Sequence, residues 1–463
     1  MQFAPLDLLD TNALTLIATA AEEAPQVESV MILGGVLLSL VAIYVASKAG
    51  GEFFNWLGFP PVLGELVGGV VVGVSALHLV VFPEGGATAT DSLVMGILQA
   101  TAGLTPEAAP ATFEIQSEVL NILAELGVII LLFEIGLESN VRELVEVGVQ
   151  SLIVAVIGVV VPFAAGTAGL MFIFNVNAIP AVFAGAALTA TSIGITSRVL
   201  TEIGRLSSKE GQIILGAAVI DDVLGIIVLA VVASLAKTGE IDVVNVIYLI
   251  VSASVFLVGA ILLGRFFNDT FKTLALQFET RGRVVIPALI LALILAYIGS
   301  AIHLEAILGA FAAGLVLDET EIEGQYLEEL IQPISDVIVP IFFVTVGAKT
   351  DLSVLNPAIP ENREGLVIAS FLIIVAMIGK VAAGWGAIGA GSLNRLAIGV
   401  GMIPRGEVGL VFAAVGAESG ALSPALNVGI ILMVILTTFV APPLLRVVFK
   451  DPEMPESKPE ASA

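Results

Sequence analysis

The sequence has 463 residues, of which 57% are hydrophobic and only 13% charged, and its mean hydropathy is +1.05. Soluble globular proteins carry roughly a quarter of their residues as charged side chains, so this composition predicts an integral membrane protein. The absence of cysteine excludes disulfides, thiol catalysis and cysteine-based metal sites, and the net charge of −24 argues against nucleic acid as a partner.

Hydrophobic runs predict thirteen transmembrane helices, since about 20 apolar residues cross the ~30 Å hydrocarbon core of a bilayer. Residues 1–27 precede them as a predicted N-terminal extension without Lys or Arg. The connection 83–117 is long and is compatible with a surface helix. A short tail, 448–463, is rich in Pro and Glu and is predicted to be disordered. The predicted spans are 28–48, 61–81, 119–138, 149–174, 178–200, 210–236, 243–265, 284–302, 304–317, 332–349, 365–391, 395–419 and 424–447.

The basic residues predict how these spans are oriented. Thirteen of the 18 Lys and Arg residues follow odd-numbered spans, whereas three lie on the opposite side of the membrane. Because cytoplasmic loops carry an excess of Lys and Arg, the N-terminus is expected outside and the C-terminus in the cytoplasm. Two sets of six spans, joined by the seventh, would then be inverted relative to each other, which is the plan of many secondary transporters.

Two adjacent carboxylates, Asp221 and Asp222, lie at the middle of the sixth span. A charge at the bilayer centre costs roughly 2.5–3.5 kcal/mol on insertion scales, so an ionisable residue there indicates function. Neighbouring helical residues differ by about 100° in direction, so one aspartate is expected to face a cavity and the other a neighbouring helix. A carboxylate binds a hard cation and, when neutralised, carries a proton through the same place. An anchoring salt bridge would explain one aspartate but not two.

Lys380 lies at the centre of the eleventh span, where it needs a partner of opposite charge. One of the two aspartates is the natural choice. Because a buried lysine changes its protonation state readily, the pair would either lock the helices together or take part in proton release.

The fifth span contains a cluster of hydroxyl side chains, Thr189, Thr191 and Ser192, followed by Gly194. This composition permits the helix to unwind and offers oxygen ligands to an ion. Alternatively, the same side chains would only pack between helices.

The twelfth span is interrupted by Pro404-Arg405-Gly406-Glu407, in which Arg405 and Glu407 would form a charge pair. Both interrupted spans are the fifth of their half. Matching interruptions in inverted halves predict a binding site at the membrane midplane, with half-helix dipoles of both signs around the ion. Glu134, near one end of the third span, is a weaker candidate that would extend to the interface or pair with Arg405.

At these residues the sequence resembles the monovalent cation:proton antiporter superfamily, and it is most similar to the electrogenic bacterial Na+/H+ antiporters of the NapA type. The resemblance extends over about residues 28–447. The motifs that carry it are Ala190-Thr191-Ser192-Ile193-Gly194-Ile195-Thr196, Ile220-Asp221-Asp222, Phe342-Phe343-Val344-Thr345-Val346-Gly347 and Pro404-Arg405-Gly406-Glu407.

The resemblance implies an all-α fold, a homodimer in the lipid bilayer and, in each subunit, a dimerisation panel beside a mobile core. The core would comprise about residues 119–236 and 365–447, with two broken helices that cross. No cofactor is expected besides the transported Na+ and H+, and no nucleotide-binding domain follows the last predicted span. The protein is expected to lie in the plasma (inner) membrane or in an internal energy-coupling membrane such as a thylakoid.

The resemblance also implies roles for the polar residues. Asp222, assisted by Thr191, would bind Na+ and the proton. Asp221 would pair with Lys380, and an arriving cation would break that pair. Electroneutral relatives have Asn in place of the first aspartate, so its presence here implies electrogenic exchange of two protons per Na+.

Other functions remain open at this stage. A K+/H+ antiporter on the same fold is the nearest alternative. A Na+-coupled symporter of organic solutes shares the inverted plan, but the paired aspartates would repel an organic anion. The sequence has no filter-like motif of an ion channel, and an intramembrane aspartyl protease, the enzymatic alternative, needs its two aspartates on separate helices. A secondary transporter rather than an enzyme is therefore expected.

Overall fold

The computed structural model describes residues 29–83, 86–139, 141–238, 243–256, 259, 271, 277–278, 280–317, 321–322, 325–358, 360–388 and 393–449. The predicted N-terminal extension and all but the first two residues of the predicted tail lie outside these ranges. The described chain is helical except for loops and one small departure from the all-α prediction. This departure is a hairpin of two-residue strands, β1 Glu321–Ile322 and β2 Gln325–Tyr326, in which Glu321 pairs with Tyr326.

The helices follow the hydrophobic runs of the sequence. In the described ranges they are α1 Ser29–Trp56, α2 Pro61–Val72, α3 Leu93–Ala102, α4 Ala109–Glu138, α5 Val141–Glu146, α6 Gly148–Phe172, α7 Ala178–Ala187, α8 Ile193–Glu202, α9 Lys209–Thr238, α10 Val243–Phe256, α11 Val285–Ala301, α12 Ala306–Val316, α13 Leu327–Ala348, α14 Pro360–Ala383, α15 Arg395–Gly401, α16 Glu407–Glu418 and α17 Pro424–Val448. Seven of these helices, α1, α4, α6, α9, α13, α14 and α17, have the length and composition needed to cross a bilayer. The remaining predicted spans coincide with shorter helices or with pairs of half-helices.

The second predicted span, 61–81, is shorter as a helix than the sequence indicates, because α2 ends at Val72. Gly73 lies against the backbone of Ala348 at the end of α13, where a Cβ would overlap the carbonyl of Ala348. The next residue, Val74, donates its N–H to the same carbonyl over 3.1 Å. The chain therefore leaves the helix at Gly73 because it is bound to the end of a neighbouring helix.

The third predicted span, 119–138, begins ten residues earlier as α4. The added residues include polar side chains, so the hydrophobic run in the sequence does not extend over them. Two of these polar side chains are buried and form hydrogen bonds. Gln116 donates to Ser39 Oγ of α1 over 3.1 Å, and Ser117 donates to the carbonyl of Val81 over 3.4 Å. Helix α3 lies within the connection 83–117, which the sequence indicates is compatible with a surface helix.

Close backbone contacts hold several neighbouring helices together. A Cβ on Gly64 of α2 would overlap the carbonyl oxygen of Gly50 in α1, and a Cβ on Gly314 of α12 would overlap the carbonyl oxygen of Phe133 in α4. Gly136 of α4 faces Gly314 at the second crossing. Such contacts between small residues are the usual basis of helix packing in membranes, where apolar side chains gain little by leaving lipid.

The packing separates the helices into two groups. Helix α4 packs mainly against α12 and α13 and also against α1, whereas α6 packs against α7, α9 and α14. The resemblance placed residues 119–138 in the mobile core, but these contacts group α4 with α1, α2, α11, α12 and α13. The division into a panel and a core stays a proposal. In it we assign α4 to the panel and begin the core at α6, because α4 packs with the helices of the panel.

We predict that Gly64→Ala destabilises the protein, because the added methyl group must separate α1 from α2. The expected loss is about 1–3 kcal/mol, as for other overpacked interiors. Thermal unfolding in detergent measures it. Gly96→Ala is the matched control, since a Cβ at Gly96 would meet no atom within 4 Å beyond its own helix backbone and chain neighbours, and alanine is the better helix former. Equal melting temperatures for the two variants would show that the α1–α2 contact is not tight.

Candidate functional site

Helix α9 places Asp221 and Asp222 in two different environments. Lys380 of α14 donates a hydrogen bond from Nζ to Asp221 Oδ2 over 2.9 Å, and neither side chain has any exposed surface. Asp222, which is 3% exposed, lines a cavity between the interrupted helices. The rotation of about 100° between neighbouring helical residues therefore separates the two carboxylates.

Helix α6 leaves space for the Lys380 ammonium group. A Cβ on Gly158 would lie 3.3 Å from Lys380 Nζ, so a side chain at this position would press on the ammonium group. One turn away, Gly379 of α14 packs against Pro162 of α6. No sequence pattern indicates this contribution, because it depends on which helices become neighbours.

The two interruptions lie against each other. Residues 188–192 separate α7 from α8, and residues 402–406 separate α15 from α16. Ser192 donates its N–H to the Pro404 carbonyl (2.8 Å), and Thr191 donates from Oγ1 to the Met402 carbonyl (3.2 Å). In the adjoining helices, Thr196 Oγ1 donates to the Gly401 carbonyl (3.0 Å). Carbonyls that lose their helical partners at the break are thus satisfied by groups from the other broken helix.

Arg405 is the largest fully buried side chain of the described residues and binds backbone carbonyls from both interruptions. Its Nη2 donates to the carbonyl of Leu188 over 2.7 Å, and its Nη1 donates to those of Met402 and Ile403 over 3.2 and 2.8 Å. Its own carbonyl accepts a hydrogen bond from the Thr438 hydroxyl of α17. The guanidinium therefore lies at the C-terminal ends of two half-helices, where a positive charge is favoured.

The suggested pairing of Glu134 with Arg405 is wrong. Glu134 accepts a hydrogen bond from the Ser335 hydroxyl of α13, whereas the described hydrogen bonds of the Arg405 guanidinium go to carbonyls. Glu407 begins α16, but its side chain lies outside the described part of the structure, and so does the predicted charge pair with Arg405.

A cavity at the crossing of the broken helices contains about 260 Å³ of free space, including its open mouth. Its oxygen-bearing groups are carboxylates and hydroxyls, the ligand types that hard cations prefer. Glu305 lies among them although no sequence pattern identified it. The lining residues are Ala190, Thr191, Ser192, Ile193, Gly194, Asp222, Glu305, Ile307, Gly406 and Val408.

The hydroxyl cluster of the fifth span divides between this cavity and local bonding. Thr191 and Ser192 line the cavity, and Ser192 Oγ also accepts the Ile195 N–H at the start of α8. Thr189 instead donates to the carbonyl of Ala186 over 2.8 Å and is not among the described lining residues. Thr196, which donates to the Gly401 carbonyl, is part of the motif in the fifth span but has no sequence signal of its own.

A second polar cluster joins α8 to the helices of the other group. Arg198 Nε lies 3.2 Å from Glu202 Oε1, and Glu202 Oε2 accepts the N–H of Val62 at the start of α2 over 3.4 Å. Thr201 donates to Glu138 of α4 over 3.0 Å. We call these five residues the Arg198 network.

Further acidic residues surround the Arg198 network. Glu65 of α2, Glu134 of α4 and Asp336 of α13 all act electrostatically on Arg198. Glu134 therefore belongs to this cluster rather than to the cavity at Asp222. Sequence spacing did not reveal the cluster, because its members come from four helices.

Comparisons with known proteins agree with the membrane architecture. The family model described as "Sodium/hydrogen exchanger, transmembrane" matches residues 32–450. The chain is similar to the high-affinity Na+/H+ antiporter NhaS3 of Synechocystis sp., with 63% identity over 444 residues that cover 95% of this chain and 96% of the relative. It is also similar to the Na+/H+–K+ antiporter GerN of Bacillus cereus, with 32% identity over 90% of this chain and 98% of that relative.

A solved structure has the same fold. The sodium proton antiporter MjNhaP1 from Methanocaldococcus jannaschii is similar with a TM-score of 0.59 and 17% identity, over 90% of this chain and 96% of that one. Together with the seven long apolar helices, these findings identify a multi-pass integral membrane protein.

We predict that the buried pair is strongly coupled in stability. Lys380→Met leaves the Asp221 carboxylate without its partner, and Asp221→Asn leaves the Lys380 ammonium group without its partner. Each substitution is expected to lower the free energy of unfolding by about 3–5 kcal/mol. The double variant buries neither charge and should be more stable than either single variant. Thermal unfolding of all four proteins in detergent measures this coupling.

The exposed pair of Lys48 with Glu52 provides the control for this cycle. Its side chains are 82% and 62% exposed at a separation of 2.7 Å, so Lys48→Met should change the free energy of unfolding by less than about 1 kcal/mol. Additive losses in the double variant of the buried pair would contradict the coupling.

Proposed function

The chain belongs to the sodium/hydrogen exchanger family, and on this premise we propose that it exchanges Na+ for protons, with Asp222 holding each in turn. The position of Asp222 carries the proposal. It lines a cavity with hydroxyl groups at the crossing of two interrupted helices, while Asp221 beside it is bound to Lys380. The name of the relative with 63% identity favours Na+ as the cation.

The groups around Asp222 suit a small hard cation. The carboxylate supplies negative charge, and the hydroxyls of Thr191 and Ser192 supply neutral oxygen ligands on the same cavity wall. When the carboxylate is protonated instead, its charge is gone and the site no longer holds Na+. Competition at one carboxylate thus couples the two fluxes without a cofactor.

Alternating access follows from the same electrostatics. A site loaded with Na+ or with protons can cross the hydrocarbon barrier, whereas an empty site pays the larger cost of its uncompensated charge. This cost suppresses movement of the empty site and with it any ion flux that is not coupled to exchange. The two groups of helices supply the moving parts, and the Arg198 network is a contact between them that has to rearrange.

The proposal includes the thirteen-span topology with the N-terminus outside. In its support, described helices coincide with every predicted span, and the two interrupted spans meet each other at the cavity. We further propose a homodimer with its contact on the panel. In support, the outward side of α1 is apolar, with Leu33, Leu37 and Val41 more than half exposed, as a surface covered by lipid or a second subunit should be.

The Asp221–Lys380 pair is the proposed source of electrogenic exchange. The arriving cation would displace the proton of Asp222 and draw the Asp221 carboxylate away from Lys380, whose ammonium group would then release a second proton. This gives two protons per Na+. One net charge per cycle is worth about 2.3 kcal/mol per 100 mV of membrane potential. Such a cycle would use the membrane potential to expel Na+.

K+ is the rival cation. The relative with 32% identity includes K+ in its name, whereas the relative with 63% identity names only Na+. We therefore expect Na+ and Li+, but not K+, to drive proton movement. The paired aspartates argue against a symporter of organic anions.

We predict that Asp222→Asn abolishes exchange, because the amide neither holds Na+ by charge nor takes up a proton. The measurement is dye-reported proton flux in proteoliposomes after addition of Na+, Li+ or K+ in turn. The wild-type protein should respond to Na+ and Li+, and the variant should match protein-free liposomes.

Asp91→Asn is the matched control for that experiment. Asp91 lies in an exposed loop, where its carboxylate accepts from Thr88, and the amide oxygen can still accept there. Its flux should equal that of the wild-type protein. Exchange by Asp222→Asn at the wild-type rate would remove Asp222 from the mechanism, and a response to K+ alone would move the chain to K+/H+ exchange.

We predict that Lys380→Ala weakens exchange and makes the remainder insensitive to voltage. The lysine supplies the second proton of the proposed cycle, so its loss leaves one proton per Na+. The same flux assay with an imposed potassium/valinomycin potential tests this. Charge movement unchanged from that of the wild-type protein would refute the role of Lys380.

A further inference from the structure

Glu305 shares the cavity of Asp222 but comes from the opposite group of helices. It immediately precedes α12, which packs against α4 and α11. Asp222 lies on α9, and the hydroxyls of Thr191 and Ser192 precede α8. The cavity thus has a carboxylate on each of two walls that belong to different groups.

The turn between α11 and α12 fixes the backbone position of Glu305. His303 has a left-handed backbone, with φ of 64°, and donates its N–H to the Ser300 carbonyl over 3.0 Å. Leu304 donates to the Gly299 carbonyl, also over 3.0 Å. In the second turn of α12, a Cβ on Gly309 would overlap the backbone of α11. The two helices are therefore packed too closely for this turn to shift easily.

The side chain of Glu305 does not cap the helix that it precedes. Its backbone has the extended conformation of an N-cap residue, with φ −71° and ψ 138°, but the carboxylate makes no capping hydrogen bond to α12. It lines the cavity instead. The positive end of the α12 dipole lies beside its backbone.

We propose that Glu305 is a second cation-binding carboxylate, which takes up Na+ between bulk water and Asp222. The inference rests on the function proposed above. Two carboxylates that line one cavity with low-dielectric walls concentrate a monovalent cation there. Ile307 and Val408 form apolar parts of the wall, so the oxygen groups offer the favourable positions for the ion.

The position of Glu305 makes this role one-sided. Glu305 stays with α12, whereas Asp222 belongs to the group expected to move during alternating access. The two carboxylates therefore share a cavity in the facing state seen here and separate in the other. The Glu305 side is the one where α11 ends and α12 begins, which the distribution of basic residues predicts to be the outer side.

Glu305→Gln tests the proposal by the sidedness of the apparent Na+ affinity. Right-side-out and everted membrane vesicles present Na+ to opposite faces, and proton flux is measured against Na+ concentration in each. The half-maximal Na+ concentration should rise roughly 3- to 10-fold on the face where α12 begins and stay unchanged on the other, since the lost charge acts on one mouth only. The maximal flux should be retained. Glu305→Asp keeps the charge and should stay close to the wild-type protein on both faces.

Glu114→Gln is the control for a general loss of surface charge. Glu114 is exposed in the first turns of α4, which begins at the same end of the molecule as α12, because the two helices meet near their last turns at Gly136 and Gly314. It should change neither face. Equal shifts on both faces for Glu305→Gln, no shift on either, or failure of Glu305→Asp to restore affinity overturns the proposal. Absence of Na+-dependent flux in the wild-type protein would instead reject the proposed function itself.

Discussion

The structure around the cavity depends on one constraint: backbone groups that leave a helix inside the hydrocarbon layer must find partners there, because water is absent. Arg405 makes three such bonds, since its buried guanidinium binds carbonyls at the C-terminal ends of two half-helices. Thr191 and Ser192 add bonds between the same two regions. Once the interruptions are stable in this way, their unwound segments can border a cavity instead of packing shut, and α9 presents Asp222 to that cavity.

The division of labour between the two aspartates follows from helix geometry and from a missing side chain. Asp221 reaches Lys380 because Gly158 leaves room for the ammonium group between α6 and α14. Asp222, turned by about 100°, is directed to hydroxyl groups instead. Asp221 is thus compensated by a fixed cation, and Asp222 is the carboxylate to which we assign the exchangeable one in the proposed function. Two aspartates placed three or four positions apart would face the same side of the helix and compete for one partner.

Sequence reasoning succeeded where a single segment carries the signal and failed where the signal arises between segments. An aspartate pair inside an apolar run, or Pro-Arg-Gly-Glu inside another, is anomalous whatever surrounds it, so both interruptions and the different surroundings of the two aspartates could be predicted. The end of α2 at Val72 depends on Ala348, which lies far away in sequence. The hydrogen-bond partner of Glu134 is Ser335 rather than Arg405. Opposite charges in a sequence do not reveal which helices become neighbours. Glu305 read as an ordinary loop residue, since only the packing of α12 brings it to the cavity.

The glycine crossings of α1 with α2 and of α4 with α12 have a mechanical consequence. Helices whose backbones are in direct contact resist sliding along each other, because the carbonyl groups of one would overlap the backbone of the other. The contacts of α8 with α2 and α4 are made instead by long side chains such as Arg198, Glu202 and Glu138, which can exchange partners as the surfaces pass. In the proposed alternating access, the glycine crossings would keep each group rigid, and the relative motion would take place at the boundary where long side chains make the contacts.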